Sequence, residues 1–93
     1  MDWGALRLAV LGSGSSGNAL VVESAGRRLL IDAGFSCKEI TRRLGLLGVD
    51  PAGFDGLVVT HEHSDHVRGA RVFAKEHGVT IHATAGTLRS SGL

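Results

Sequence analysis

The segment His61-Glu62-His63-Ser64-Asp65-His66 constrains this chain more than any other. It follows directly on Leu57-Val58-Val59-Thr60, a short apolar run of the kind that forms a buried strand. Three imidazoles and two carboxylates within six residues are costly to bury without partners. Left in solvent, they would serve no structural purpose at the end of an apolar strand. A divalent metal resolves the conflict, because neutral imidazoles and carboxylates are the usual ligands of Zn²⁺ and similar ions. In an extended stretch, His61 and His63 point the same way and can share one metal. With a helix starting near Asp65, Asp65 and His66 emerge toward a second position. Two metals about 3.5–4 Å apart suit a hydrolytic site. Glu62 and Ser64 alternate away from it.

A second motif lies upstream. Gly12-Ser13-Gly14-Ser15-Ser16-Gly17 fits G-x-G-x-x-G, and Asp32 stands about 20 residues on, as in dinucleotide-binding folds. That use requires a helix at the last glycine to receive the pyrophosphate. The residues that follow, Asn18-Ala19-Leu20-Val21-Val22-Glu23, are instead rich in strand formers. The expected structure is therefore a tight loop between strands. A functional version has Ser13, Ser15, Ser16 and Asn18, with the loop's N–H groups, facing a site and binding an anionic substrate.

The remaining pattern is α/β. Strands are expected over 5–11, 19–23, 28–32, 57–60 and 79–82, with a hairpin turn at 24–27. A helix is expected from Ser36, whose hydroxyl and Glu39 form a capping box, to Gly48. Ile40, Leu44 and Leu47 mark its inner face, with Arg42 and Arg43 opposite. A second helix is expected over 65–77, and Thr84 or Thr87 begins a third. His77 reads as a helix-end residue and His82 as a strand residue.

Composition excludes several classes. Hydrophobic residues make up 43% of the 93, enough for a core. Ten basic against nine acidic residues, a net charge of +1, exclude a strongly cationic binder. No apolar run approaches the roughly 18 residues of a membrane span. The single cysteine, Cys37, excludes an internal disulfide framework and fits a reducing, cytoplasmic setting. At the start of a helix, the dipole is expected to lower its pKa. No second cysteine or nearby base is evident in sequence, so a packed role is favoured. The pairs Arg27-Arg28 and Arg42-Arg43 read as solvated faces with a lesser chance of touching a nucleic-acid backbone. Trp3 and Phe35 show no base-stacking pattern.

His61-x-His63-x-Asp65-His66 after an apolar strand resembles the metal-binding signature of the metallo-β-lactamase superfamily. Leu29-Leu30-Ile31-Asp32-Ala33-Gly34 resembles its first motif. The segments Leu11-Gly12-Ser13-Gly14-Ser15-Ser16-Gly17-Asn18 and Asp32-Ala33-Gly34-Phe35-Ser36-Cys37-Lys38 are similar to those of its YycJ/WalJ-type branch of exonuclease-like hydrolases. The resemblance implies an αββα sandwich, of which residues 1–93 would be the N-terminal half: a mixed sheet with flanking helices. It implies that His61 and His63 bind one metal, and Asp65 and His66 another. Asp65 would also be catalytic, and Asp32 would orient the ligand loop. Two divalent metals, zinc or manganese, and a hydroxide held by them would hydrolyse DNA or RNA phosphodiesters. Esterase or lactamase chemistry is the alternative. The family's later ligands are absent from these residues, so the chain alone is expected to be inactive. A non-catalytic metal-binding or interaction module is the competing reading. A homodimer covering the exposed sheet face is a further expectation.

Overall fold

The computed structural model describes residues 6–61 and 63–83. Trp3, Glu62 and the helix expected at Thr84 or Thr87 lie outside them. Five strands form one sheet in the order β1-β2-β3-β4-β5, namely Arg7–Gly12, Ala19–Ser24, Arg27–Ile31, Gly56–Val58 and Ile81–His82. The first three run antiparallel, and β3/β4 and β4/β5 are parallel. The turn joining β2 to β3 has positive φ at Ala25 and Gly26. That is the geometry which matches the twist of a two-residue hairpin.

Parallel pairing requires crossovers, and helices supply them. Helix α1, Cys37–Leu46, links β3 toward β4. Ser36 caps it by accepting from Glu39 N at 3.2 Å. The Glu39 carboxylate does not complete the expected box; it turns to Arg42 at 2.6 Å and Arg43 at 3.8 Å. Ile40 and Leu44 are fully buried, but Leu47 at the C-cap is half exposed.

The second expected helix is two helices. Residues Ser64–Val67 form α2 and Ala70–His77 form α3. The break coincides with a close approach of two backbone segments. A Cβ at Gly69 would collide with the Phe35 carbonyl oxygen, and α3 begins where the backbone passes closest to the loop after β3. Gly69 N also donates to Ala33 O at 2.8 Å, leaving the helical ladder to hold that loop.

One apolar core joins sheet and helices, with Leu30, Leu57, Ile40, Leu44 and Phe73 fully buried. Phe54 meets Phe73 edge-on at 5.8 Å between ring centres. On β1, Leu11 faces this core, while Leu8 and Val10 are 63% and 65% exposed. Alternation along the strand thus places Leu6, Leu8 and Val10 on the opposite, open face of the sheet. Among the described residues, no helix is long and apolar enough to cross a membrane.

Candidate metal centre

The centre is built around Asp32, the first residue beyond β3. Its φ of +63° is unusual for any side chain but glycine, and aspartate is among the residues that tolerate it best. The bend turns a buried carboxylate back under the loop that follows β4. There, Thr60 N donates to Oδ1 at 2.7 Å, Thr60 Oγ1 to Oδ2 at 2.7 Å, and His66 Nδ1 to Oδ2 at 2.7 Å. With three donors on it, this carboxylate is occupied as an acceptor and acts on its neighbours' orientation.

Proton accounting then fixes both adjacent rings. A carboxylate only accepts, so His66 donates from Nδ1, and in the neutral ring Nε2 is then the nitrogen with the lone pair. The Thr60 hydroxyl spends its one proton on Asp32. Its oxygen, 2.9 Å from His61 Nδ1, therefore accepts from that nitrogen. In the neutral His61 ring, Nε2 likewise has the lone pair. The two rings lie 4.5 Å apart between centres. Asp65 Oδ2 is 3.6 Å from His66 Nε2. Asp32, His61 and His66 offer ligand atoms within 4.8 Å of one another. Two neighbouring imidazoles, each held from behind, with the Asp65 carboxylate beside His66 Nε2, form a donor set that fits a divalent metal.

The backbone locks this arrangement. Asn18 N donates to Asp65 O at 2.7 Å, and Ala33 N to His66 O at 2.7 Å. A Cβ at Gly34 would collide with Asp65 O, so only glycine admits the α2 backbone this close. Asn18 also ties the glycine-serine loop to the centre. Its amide bonds Gly14 N and Gly14 O on one side and Asp65 Oδ2, at 3.1 Å, on the other.

Not every candidate converges. His63 stands exposed at the N-cap of α2 and is not in the group formed by Asp32, His61 and His66. An open cleft of about 230 Å³ adjoins Asp32 and His66, and Ser13 and Asn18 line it. Ser15 and Ser16 are exposed and do not line that cleft. The loop leads from β1 into β2 with no helix at Gly17, which excludes the dinucleotide-binding arrangement. Two sequence expectations need correction. Arg43 is not simply solvated: its guanidinium lies 3.9 Å over the Phe35 ring and donates to Leu11 O at 2.6 Å. The Cys37 thiol is not lowered by the helix dipole; burial, with a hydrogen bond to Glu76, pushes it up to about 11. Thr60 was missed altogether, although a hydroxyl ending an apolar strand just before three histidines was the available signal.

Comparison with known proteins agrees with this geometry. The sequence profile of the metallo-β-lactamase superfamily matches residues 12–92. Exodeoxyribonuclease WalJ of Streptococcus pneumoniae serotype 2 is 41% identical over 81 residues, covering 87% of this chain and 30% of the relative. Exodeoxyribonuclease YycJ of Bacillus anthracis is 38% identical over 82 residues, covering 88% of this chain and 31% of the relative. A metallo-β-lactamase of Cronobacter sakazakii superposes with a TM-score of 0.78 at 20% identity, over 88% of this chain and 30% of its own. The chain thus spans about a third of the length of the curated relatives it matches.

Proposed function

Because the chain belongs to the metallo-β-lactamase superfamily, in its YycJ/WalJ branch, we propose that it forms part of a metal-dependent exonuclease acting on DNA. The observation that carries this reading is the pair of adjacent imidazoles, His61 held at Nδ1 by Thr60 and His66 at Nδ1 by Asp32. His61, His63, Asp65 and His66 are the proposed metal ligands, with Asp65 also in contact with the reacting groups. When bound, divalent metal supplies Lewis acidity and activates water for phosphodiester hydrolysis. Zinc suits the nitrogen donors and manganese the carboxylate. Asp32 keeps both rings aimed. Asn18 holds the Asp65 carboxylate, and the cleft beside Ser13 and Asn18 receives the phosphate backbone through hydroxyl and N–H donors.

In this reading, residues 1–93 are the N-terminal part of the domain, and hydrolysis requires the remainder. Two features support it: the length of the relatives, and the open sheet face carrying Leu6, Leu8 and Val10. That face is where the second half of the sandwich packs, in preference to a second copy of this chain. The single cysteine supports a reducing, cytoplasmic location.

The test uses the complete domain. It should release nucleotides from linear DNA with Mn²⁺ or Zn²⁺, lose that activity to chelator, and leave a β-lactam untouched. His61→Ala and His63→Ala should each abolish hydrolysis. Full activity in either variant, or lactam cleavage without DNA degradation, contradicts the proposal.

A further inference from the structure

A second set of donors lies on the helix layer and shares no residue with the Asp32–His61–His66 group. Cys37 opens α1, while Glu76 and His77 close α3. Packing of the two helices brings one thiol, one carboxylate and one imidazole together, with a ligand atom from each within 4.8 Å of the other two. Cys37 Sγ is 3.0 Å from Glu76 Oε2, and His77 Nε2 is 3.9 Å from the same oxygen.

The protein alone serves this cluster poorly. His77 Nε2 is buried and has no hydrogen-bond partner among the described residues. A separation of 3.9 Å from Glu76 is too long for a hydrogen bond. A buried polar atom left without a partner is destabilising. The Phe73 ring, 4.7 Å away between centres, packs against the imidazole.

The geometry points to a second metal site, in which Cys37 Sγ, the Glu76 carboxylate and His77 Nε2 hold one zinc-class ion at the junction of α1 and α3. Sulfur, nitrogen and one oxygen are the donors of such ions; calcium and magnesium take oxygen shells. Ligand atoms around zinc stand roughly 3–4 Å apart, so small side-chain rotations suffice to close the site. The Glu76 side chain, 61% exposed, is free to make one. Binding replaces the thiol proton: the S–H bond breaks, the proton leaves to solvent, and sulfur bonds the metal. Three protein ligands leave the fourth position to water. The ion would tie the start of α1 to the end of α3. This inference does not depend on the proposed nuclease activity.

Cobalt(II) tests it, because Cys37 is the only cysteine in the chain. A thiolate-to-cobalt charge-transfer band in the near ultraviolet therefore reports this site alone. The band should saturate at one cobalt per chain and disappear when zinc is added. Cys37→Ser, which preserves the shape of the side chain, should remove it. His77→Ala and Glu76→Gln should weaken cobalt binding by about tenfold or more while the far-ultraviolet circular dichroism stays unchanged. His61→Ala should leave the band intact. No band in the parent chain, or an unchanged titration in a folded His77→Ala variant, would overturn the site.

Discussion

Asp32 and Cys37 show how differently two residues five positions apart can be read from sequence. The orienting role of Asp32 was legible only through the family resemblance of Leu29 to Gly34, and Asp32 receives three hydrogen bonds. Cys37 was legible only as the start of a helix. Its neighbours Glu76 and His77 come from 39 and 40 residues further along the chain, and no local pattern announces them. Burial and Glu76 both disfavour the thiolate, so the thiol keeps its proton up to about pH 11. At pH 8 the metal-free chain then holds about a hundredfold less thiolate than a free cysteine. The higher intrinsic nucleophilicity of such a thiolate recovers about tenfold. Iodoacetamide should accordingly modify Cys37 about tenfold more slowly than a free thiol at pH 8, with the rate climbing toward pH 11. Glu76→Gln should speed the reaction at pH 8. A parent rate equal to that of free cysteine would contradict the packing around the thiol.

At the scale of elements, strand alternation and the Ser36 cap placed β1, β2, β3 and α1 to within a residue or two. These signals are local, and local geometry obeys them. The split between α2 and α3 was not legible, because the contact it coincides with is tertiary. Gly69 is where the helix layer touches the backbone of Phe35, and a contact with a residue 34 positions away leaves no trace in periodicity. The same physics gives opposite signs at two glycines. Gly69→Ala must displace backbone atoms of Phe35 and should cost about 1–3 kcal/mol. Gly45→Ala, inside α1 with open space around it, should stabilise by up to about 1 kcal/mol. Urea unfolding of both variants checks this pair. Equal effects at the two sites would mean that Gly69 is not a packing constraint.

Across the whole molecule, one face of the sheet is packed against helices and the other carries exposed leucine and valine. The centre lies beyond the strand ends, where the loops after β1, β3 and β4 meet. Sequence reasoning identified the loop that carries the histidines but paired His61 with His63 from extended geometry. The fold brings the His61 ring to 4.5 Å from that of His66 between centres, while His63 stands at the N-cap of α2. The central claim is that this meeting point binds metal through His61 and His66 rings aimed by Asp32. An equilibrium Mn²⁺ titration, read from the electron paramagnetic resonance of the free ion, tests it most directly. A Cys37→Ser background keeps the thiol out of the measurement. Asn tolerates positive φ as Asp does, so Asp32→Asn keeps the bend but removes a charged acceptor. The account predicts a loss of about 10–100-fold in affinity for Asp32→Asn and a larger loss for His66→Ala. Unchanged Mn²⁺ binding in folded His66→Ala would contradict it.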